Sequence, residues 1–145
     1  MFGSLIRPIL SSGMRVLIVV LSLAAAAFLV VQERGAGAAA DIQKVALSGT
    51  SDPTPTQVRT AREQVKTATR WNPDTEPIVN LGVIEARAGD FKAGGATLRS
   101  VTASEPENGQ AWSLLAFAAK RYDSDLEATA RARVRELMPP VPRVP

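Results

Sequence analysis

Two segments of the chain repeat one apolar pattern at a fixed interval. Leu115 follows Leu81 by 34 residues, and Trp112 follows Ile78 by the same interval. A repeat of this length is typical of stacked helical hairpins, because a single hairpin cannot bury its apolar face alone. The interval therefore predicts an all-α array. Arrays of this kind usually bind other proteins, so we expect a binding function and no enzyme activity.

The residue types present narrow the chemistry further. The chain contains no cysteine and no histidine, which removes thiol nucleophiles, imidazole bases and the usual ligands of transition metals. The net charge is only +3 and no basic face is predicted, so nucleic acid is not an expected partner. Glu105 and Glu107 share an interhelix turn that offers no pocket for a catalytic carboxylate pair. We expect neither a cofactor nor a metal.

An apolar run near the amino terminus predicts a membrane segment. Residues 16–31 carry no charge, whereas a helix needs roughly 17–25 residues to cross the hydrocarbon core. Arg15 and Arg34 can lengthen this short span, because their side chains reach toward the headgroups. We interpret residues 1–13 as a basic leader and residues 14–32 as a transmembrane signal anchor.

Cleavage of this segment is the alternative interpretation. The stretch Ala38-Ala39-Ala40 fits a signal-peptidase site, but Glu33 and Arg34 separate it from the apolar run, which favours the anchor. The basic leader favours a cytoplasmic amino terminus. We therefore expect a single-pass chain in the inner or plasma membrane, with its helical domain in the periplasm or outside the cell.

Small residues lie on one face of the predicted span. Ser22 and Ala26 are four residues apart, a spacing that lets a second transmembrane helix approach closely. The alternative is that alanine is present here only because it is apolar enough to span.

The rest of the chain divides by composition. Residues 33–56 are rich in Gly, Ser, Thr and Pro, which predicts a flexible linker. Helical spacing then marks a domain at residues 57–138, and a proline-rich tail follows at residues 139–145.

Capping residues separate five predicted helices within this domain. Thr56, Asp90 and Asn108 are predicted N-caps, and Gly89 predicts a helix end. Gly94 and Gly95 follow no strand and precede no Lys-Ser/Thr pair, so they predict a close helix crossing and not a phosphate loop.

The repeated positions resemble those of the tetratricopeptide repeat (TPR) family over about residues 58–140. The family's leucine, glycine, interhelix glycine, large apolar residue, terminal proline and tryptophan correspond to Leu81, Gly82, Gly89, Leu98, Pro106 and Trp112. The chain departs from the pattern at the aromatic position of the first helix, which Glu85 and then Ala119 occupy. The resemblance implies about two and a half repeats. The first helix of the domain lacks a partner, because residues 44–55 are not expected to form one.

The family lines its concave face with the first helix of each pair. The resemblance therefore implies a partner-binding groove made of Asn80, Val83, Arg87, Ser113, Phe117, Lys120 and Arg121. Amide, guanidinium and ammonium donors of this kind converge on the acceptor oxygens of a peptide backbone or a terminal carboxylate. The alternative is that these are ordinary exposed side chains on a short array.

Together these features predict a membrane-anchored scaffold or adaptor that binds a protein or peptide partner in a cell-envelope assembly. One alternative is a structural subunit of a larger membrane complex, with its transmembrane helix packed inside the complex and its helical domain acting as a cap. Another is a cleaved, secreted helical binding protein. Self-association into a homo-oligomer is also open, because two and a half repeats bury a thin core.

Overall fold

The computed structural model describes residues 12–48, 51–70 and 74–139. These ranges contain six α-helices and no strand, which confirms the all-α prediction for this part of the chain. The helices are α1 (Ser12–Leu47), α2 (Pro55–Ala68), α3 (Glu76–Arg87), α4 (Phe91–Ser104), α5 (Gly109–Ala119) and α6 (Ser124–Leu137). Each helix packs against the next, and α1 also contacts α3.

Side-chain caps set most of the helix starts. Asp90, Asn108 and Asp123 accept the backbone N–H three residues ahead at 2.9–3.0 Å, which confirms the two caps predicted at Asp90 and Asn108. The predicted cap at Thr56 is wrong. Pro55 already occupies the first turn of α2, so Thr54 caps it, in a reciprocal capping box with Gln57.

The prediction of a flexible linker at residues 33–56 is wrong over most of its length. Helix α1 continues without a break to Leu47, and Ile42 is fully buried in an apolar cluster with Val58 and Ile84. Glycine lowers helix stability by about 1 kcal/mol per residue, and this low propensity suggested a coil. The burial of Ile42 and Ala46 against α2 and α3 opposes that cost, so tertiary packing keeps the segment helical.

The helical domain consequently begins earlier than residue 57. The second half of α1 is the partner that α2 was expected to lack, and the described chain contains three consecutive helix pairs in place of two and a half repeats. The pairs are α1 with α2, α3 with α4, and α5 with α6. The predicted membrane segment, residues 14–32, is the first half of the same helix.

The repeated apolar positions form the core of the array. Leu81 and Leu115 are buried, and Ile78 and Trp112 pack partly buried against the larger of two apolar clusters. The indole Nε1 of Trp112 donates a hydrogen bond of 2.8 Å to the carbonyl oxygen of Pro106.

A buried carboxylate holds three helices together. Glu85, in α3, accepts hydrogen bonds from the Arg62 guanidinium of α2 at 2.7–2.8 Å and from the Thr97 hydroxyl of α4 at 2.6 Å. A buried charge is costly unless it is paired and hydrogen-bonded, and both carboxylate oxygens of Glu85 have a partner. This position is where the TPR resemblance expected an aromatic side chain.

Glycines allow α3 and α4 to cross closely. A Cβ placed on Gly94 would lie 2.6 Å from the carbonyl oxygen of Gly82 and 2.9 Å from the backbone nitrogen of Ala86. A side chain on Gly95 would collide with the hydroxyl group of Tyr122. The predicted role in a close helix crossing is therefore confirmed for Gly94, whereas Gly95 makes room for Tyr122 in the turn between α5 and α6.

We expect Gly94→Ala to lower the free energy of unfolding by about 1–3 kcal/mol, because the methyl group must push two backbones apart. The measurement is urea unfolding of the full chain in detergent, followed by circular dichroism. Gly37→Ala is the matched control, since a Cβ there meets no heavy atom of the described residues within 4 Å. The control should gain about 0.5–1 kcal/mol from helix propensity. Equal stability of the two variants would contradict the tight crossing.

Candidate partner-binding site

The first half of α1 exposes a continuous apolar surface. The most exposed of the large apolar side chains between Leu17 and Val31 have 37–66% of their surface area accessible to solvent. Within the described residues, α1 is the one helix that is long and apolar enough to cross a membrane. A signal sequence near the amino terminus would have the same length and apolar composition. Ser22 and Ala26 lie within this exposed stretch.

The predicted groove residues of α3 lie on the side of that helix that faces α1. Asn80 borders a cleft of about 310 Å³ between α1 and α3, together with Gln43 and Glu76, whose side chains share a hydrogen bond of 3.2 Å. Val83 packs, partly buried, against the apolar cluster that contains Ile42. The helical continuation of α1 therefore covers part of Val83.

Arg87 has a structural role that the sequence did not reveal. Its Nη1 donates to the carbonyl oxygens of Val45 at 3.3 Å and Ala46 at 2.8 Å, and its Nη2 donates to those of Ser48 at 2.6 Å and Ser51 at 2.7 Å. The last carbonyl groups of a helix lack intrahelical partners and carry partial negative charge. Arg87 supplies both donors and charge at the end of α1. Its predicted affinity for acceptor oxygens is thus directed at its own chain.

The predicted residues of α5 are more accessible, with one exception. Ser113 is partly buried and donates its hydroxyl to the carbonyl oxygen of Gly109 at 2.9 Å. Phe117 exposes 58% of its area, and Lys120 and Arg121 are also exposed. Helix α5 packs mainly against α4 and α6 and only marginally against α3, so α3 leaves the Phe117 ring uncovered.

A fourth residue, the partly buried Phe91, completes a small surface group that we call the Phe117 cluster: Phe91, Phe117, Lys120 and Arg121. The rings of Phe91 and Phe117 meet edge to face with centroids 6.4 Å apart, and the Arg121 guanidinium lies 5.2 Å from the centroid of Phe91. Sequence reasoning missed Phe91. The sequence does contain a relevant feature, because Phe91 directly follows the predicted cap Asp90 and is therefore the first residue of α4.

The cluster combines apolar area with cations that have no ion-pair partner within the described residues. Neither Lys120 nor Arg121 forms a salt bridge there. Two acidic residues that are neighbours of cluster residues in the sequence are already engaged: Asp123, two residues after Arg121, caps α6, and Asp90, which precedes Phe91, caps α4. The surface can therefore accept an apolar side chain together with acceptor oxygens.

The interhelix turn at Glu105 has a structural role, because its carboxylate accepts hydrogen bonds from side chains on either side of it. The Asn108 amide and the Thr75 hydroxyl donate to its two carboxylate oxygens at 2.7 and 2.8 Å, and these bonds hold the pKa of Glu105 below its usual value of 4.5. The turn thereby connects the start of α3, the end of α4 and the start of α5. No three acidic side chains among the described residues come together to hold a metal ion.

Comparison of the chain with protein-family models, with curated proteins and with solved structures finds no match.

We expect Arg87→Ala to release the end of α1, because four carbonyl oxygens each lose a guanidinium donor. Hydrogen–deuterium exchange should become faster in residues 44–48 while α6 is unchanged. Arg87→Lys should restore protection only in part, since an ammonium group does not present the planar fork of a guanidinium. Arg131→Ala, which removes an exposed pair with Glu127, is the control. Equal exchange in Arg87→Ala and Arg131→Ala would contradict the capping role.

Proposed function

We propose that this protein is a membrane-anchored scaffold with a short TPR-like array, which binds a protein or peptide partner in a cell-envelope assembly. The Phe117 cluster carries the proposal, because it joins exposed aromatic area to cations without ion-pair partners at the end of α5. The interval of 34 residues and the pairing of the helices support the TPR-like interpretation.

The chemistry of the cluster favours a peptide that offers one apolar side chain and nearby carboxylate or carbonyl oxygens. Phe117 supplies contact area, and aromatic and arginine side chains are the residues that most often dominate binding energy. Arg121 is already ordered over Phe91, so less conformational entropy is lost on binding than for a free arginine. The anchor adds a second contribution by raising the local concentration of the partner at the membrane.

The continuity of α1 supports the anchor over cleavage. A cut after Ala40 would remove Gly35, Ala36 and Ala39, which line the surface shared with α2 and α3. The array would lose part of its first helix. Retention of α1 keeps the array complete, and the basic leader favours its placement on the extracytoplasmic side.

The test is photo-cross-linking in intact cells with benzoylphenylalanine in place of Phe117. We expect one discrete adduct, which should weaken several-fold when Lys120 and Arg121 are both changed to glutamate. Thr129, exposed on α6, is the control position for the same probe. Adducts of the same pattern from positions 117 and 129 would contradict binding at the Phe117 cluster.

A structural subunit of a larger membrane complex is the second candidate function. The exposed apolar side chains of α1 favour it, since a neighbouring transmembrane helix could cover them as well as lipid does. In that case Ser22 and Ala26 face the neighbour, and the array caps the complex.

A thiol-directed photo-cross-linker on Ser22→Cys separates these functions, because the chain has no other cysteine. A tightly packed subunit should give a strong adduct with another membrane protein from Ser22→Cys and little from Ala24→Cys, which lies on the opposite side of the helix. Lipid-facing α1 should give no preference between the two positions. Adducts of equal yield from Ser22→Cys and Ala24→Cys would therefore argue against the structural subunit and for the anchored scaffold.

A further inference from the structure

The geometry points to a second contact between this protein and the membrane: we infer that the carboxyl-terminal end of α2, around Lys66 and Thr67, lies in the phospholipid headgroup layer of the bilayer that α1 spans. The inference rests on the proposed membrane anchor and adds a position and a surface to it. It follows from the register between α1 and α2 and from the length of the apolar run.

The register places the end of α2 beside the end of the apolar run. A Cβ on Gly35 would lie 3.7 Å from the carbonyl oxygen of Ala68 and 3.8 Å from that of Thr67. Val31, the last residue of the run, lines a small cleft of about 60 Å³ together with Thr67 and Ala68. No coil separates the two regions, because α1 is helical throughout.

The distances along α1 then fix the depth. Gly35 is four residues beyond Val31, which is about 6 Å at the helical rise of 1.5 Å per residue. The headgroup layer on each side of a bilayer is roughly 5–8 Å thick, which is half the difference between the thickness of the whole bilayer and that of its hydrocarbon core. Ala68, and with it the last turn of α2, therefore falls within this layer if Val31 marks the hydrocarbon boundary.

The shortness of the span strengthens the contact. Sixteen uncharged residues, 16–31, cover about 24 Å, whereas the hydrocarbon core is about 30 Å thick. A short span is accommodated by local thinning or by drawing flanking residues toward the interface. Both responses bring the end of α2 closer to lipid. Glu33 and Arg34 are exposed and supply the charges that belong at headgroup depth.

The other end of α2 should lie in water. Thr56 borders the same cleft as Lys44, which is 13 residues beyond Val31 and therefore about 20 Å further from the hydrocarbon boundary. A flexible linker would allow any orientation of α2, so a fixed difference in depth between its two ends is a distinctive expectation.

Single cysteines in this cysteine-free chain provide the test. The full chain carries a fluorophore at Thr67→Cys, Lys66→Cys, Thr56→Cys or Ala24→Cys and is reconstituted in vesicles of phosphatidylcholine with a minority of phosphatidylglycerol. Quenching is measured with nitroxide lipids labelled on the headgroup or in mid-chain, and with aqueous iodide. Circular dichroism verifies that each labelled protein is helical.

We expect labels at positions 66 and 67 to be quenched most by the headgroup nitroxide, the label at 24 by the mid-chain nitroxide, and the label at 56 by iodide alone. If 66 and 67 behave like 56 while 24 is still quenched in mid-chain, the headgroup contact is overturned and the anchor stands. If 24 is quenched by iodide and not by lipid, the anchor itself fails, and the inference fails with it.

Discussion

The burial of Ile42 and Ala46 against α2 and α3 is the contact on which the architecture depends. It converts a glycine- and alanine-rich stretch into the second half of a helix that begins in the predicted membrane segment. The array and the apolar segment that is long enough to cross a membrane thereby share one helix, with no coil between them. The orientation of the array relative to the apolar half of α1 is therefore fixed by packing.

Polar contacts reinforce this joint where the apolar core is thin. Glu85 ties α3 to α2 and α4, and Arg87 ties the end of α3 to the end of α1. Many core positions are alanine, which buries little area per residue, so close backbone approach supplies much of the packing. The crossing at Gly82 and Gly94 is the clearest example.

The groove implied by the family resemblance separates into two regions with different uses. Val83 and Arg87 hold α1 in place, because α1 occupies the face that they were expected to open. Phe117 and Arg121 are left exposed, because α5, the first helix of the third pair, lies only marginally against α3. The same repeat position thus serves assembly in one pair and a free surface in the next.

Local pattern was sufficient for much of the fold. The caps at Asp90 and Asn108, the helix end at Gly89 and the buried face that includes Leu81 and Leu115 follow from residue type and spacing. These features depend on neighbours within a few residues or on a regular period. The linker prediction failed at residues 33–47 because the cause of helix formation there is not local. No nearby residue outweighs the two glycines, and the contacts that stabilise the helix come from α2 and α3.

By itself the sequence determined that this protein is helical, that it repeats at an interval of 34 residues and that it carries an apolar segment suited to a membrane. Those properties reside in periodicity, caps and composition. Only the tertiary structure decided that α1 is also the first helix of the array, that Arg87 caps it and that Phe117 remains exposed. The physical reason is that burial and capping by distant residues are properties of the assembled helices, and a linear pattern does not specify which surfaces meet.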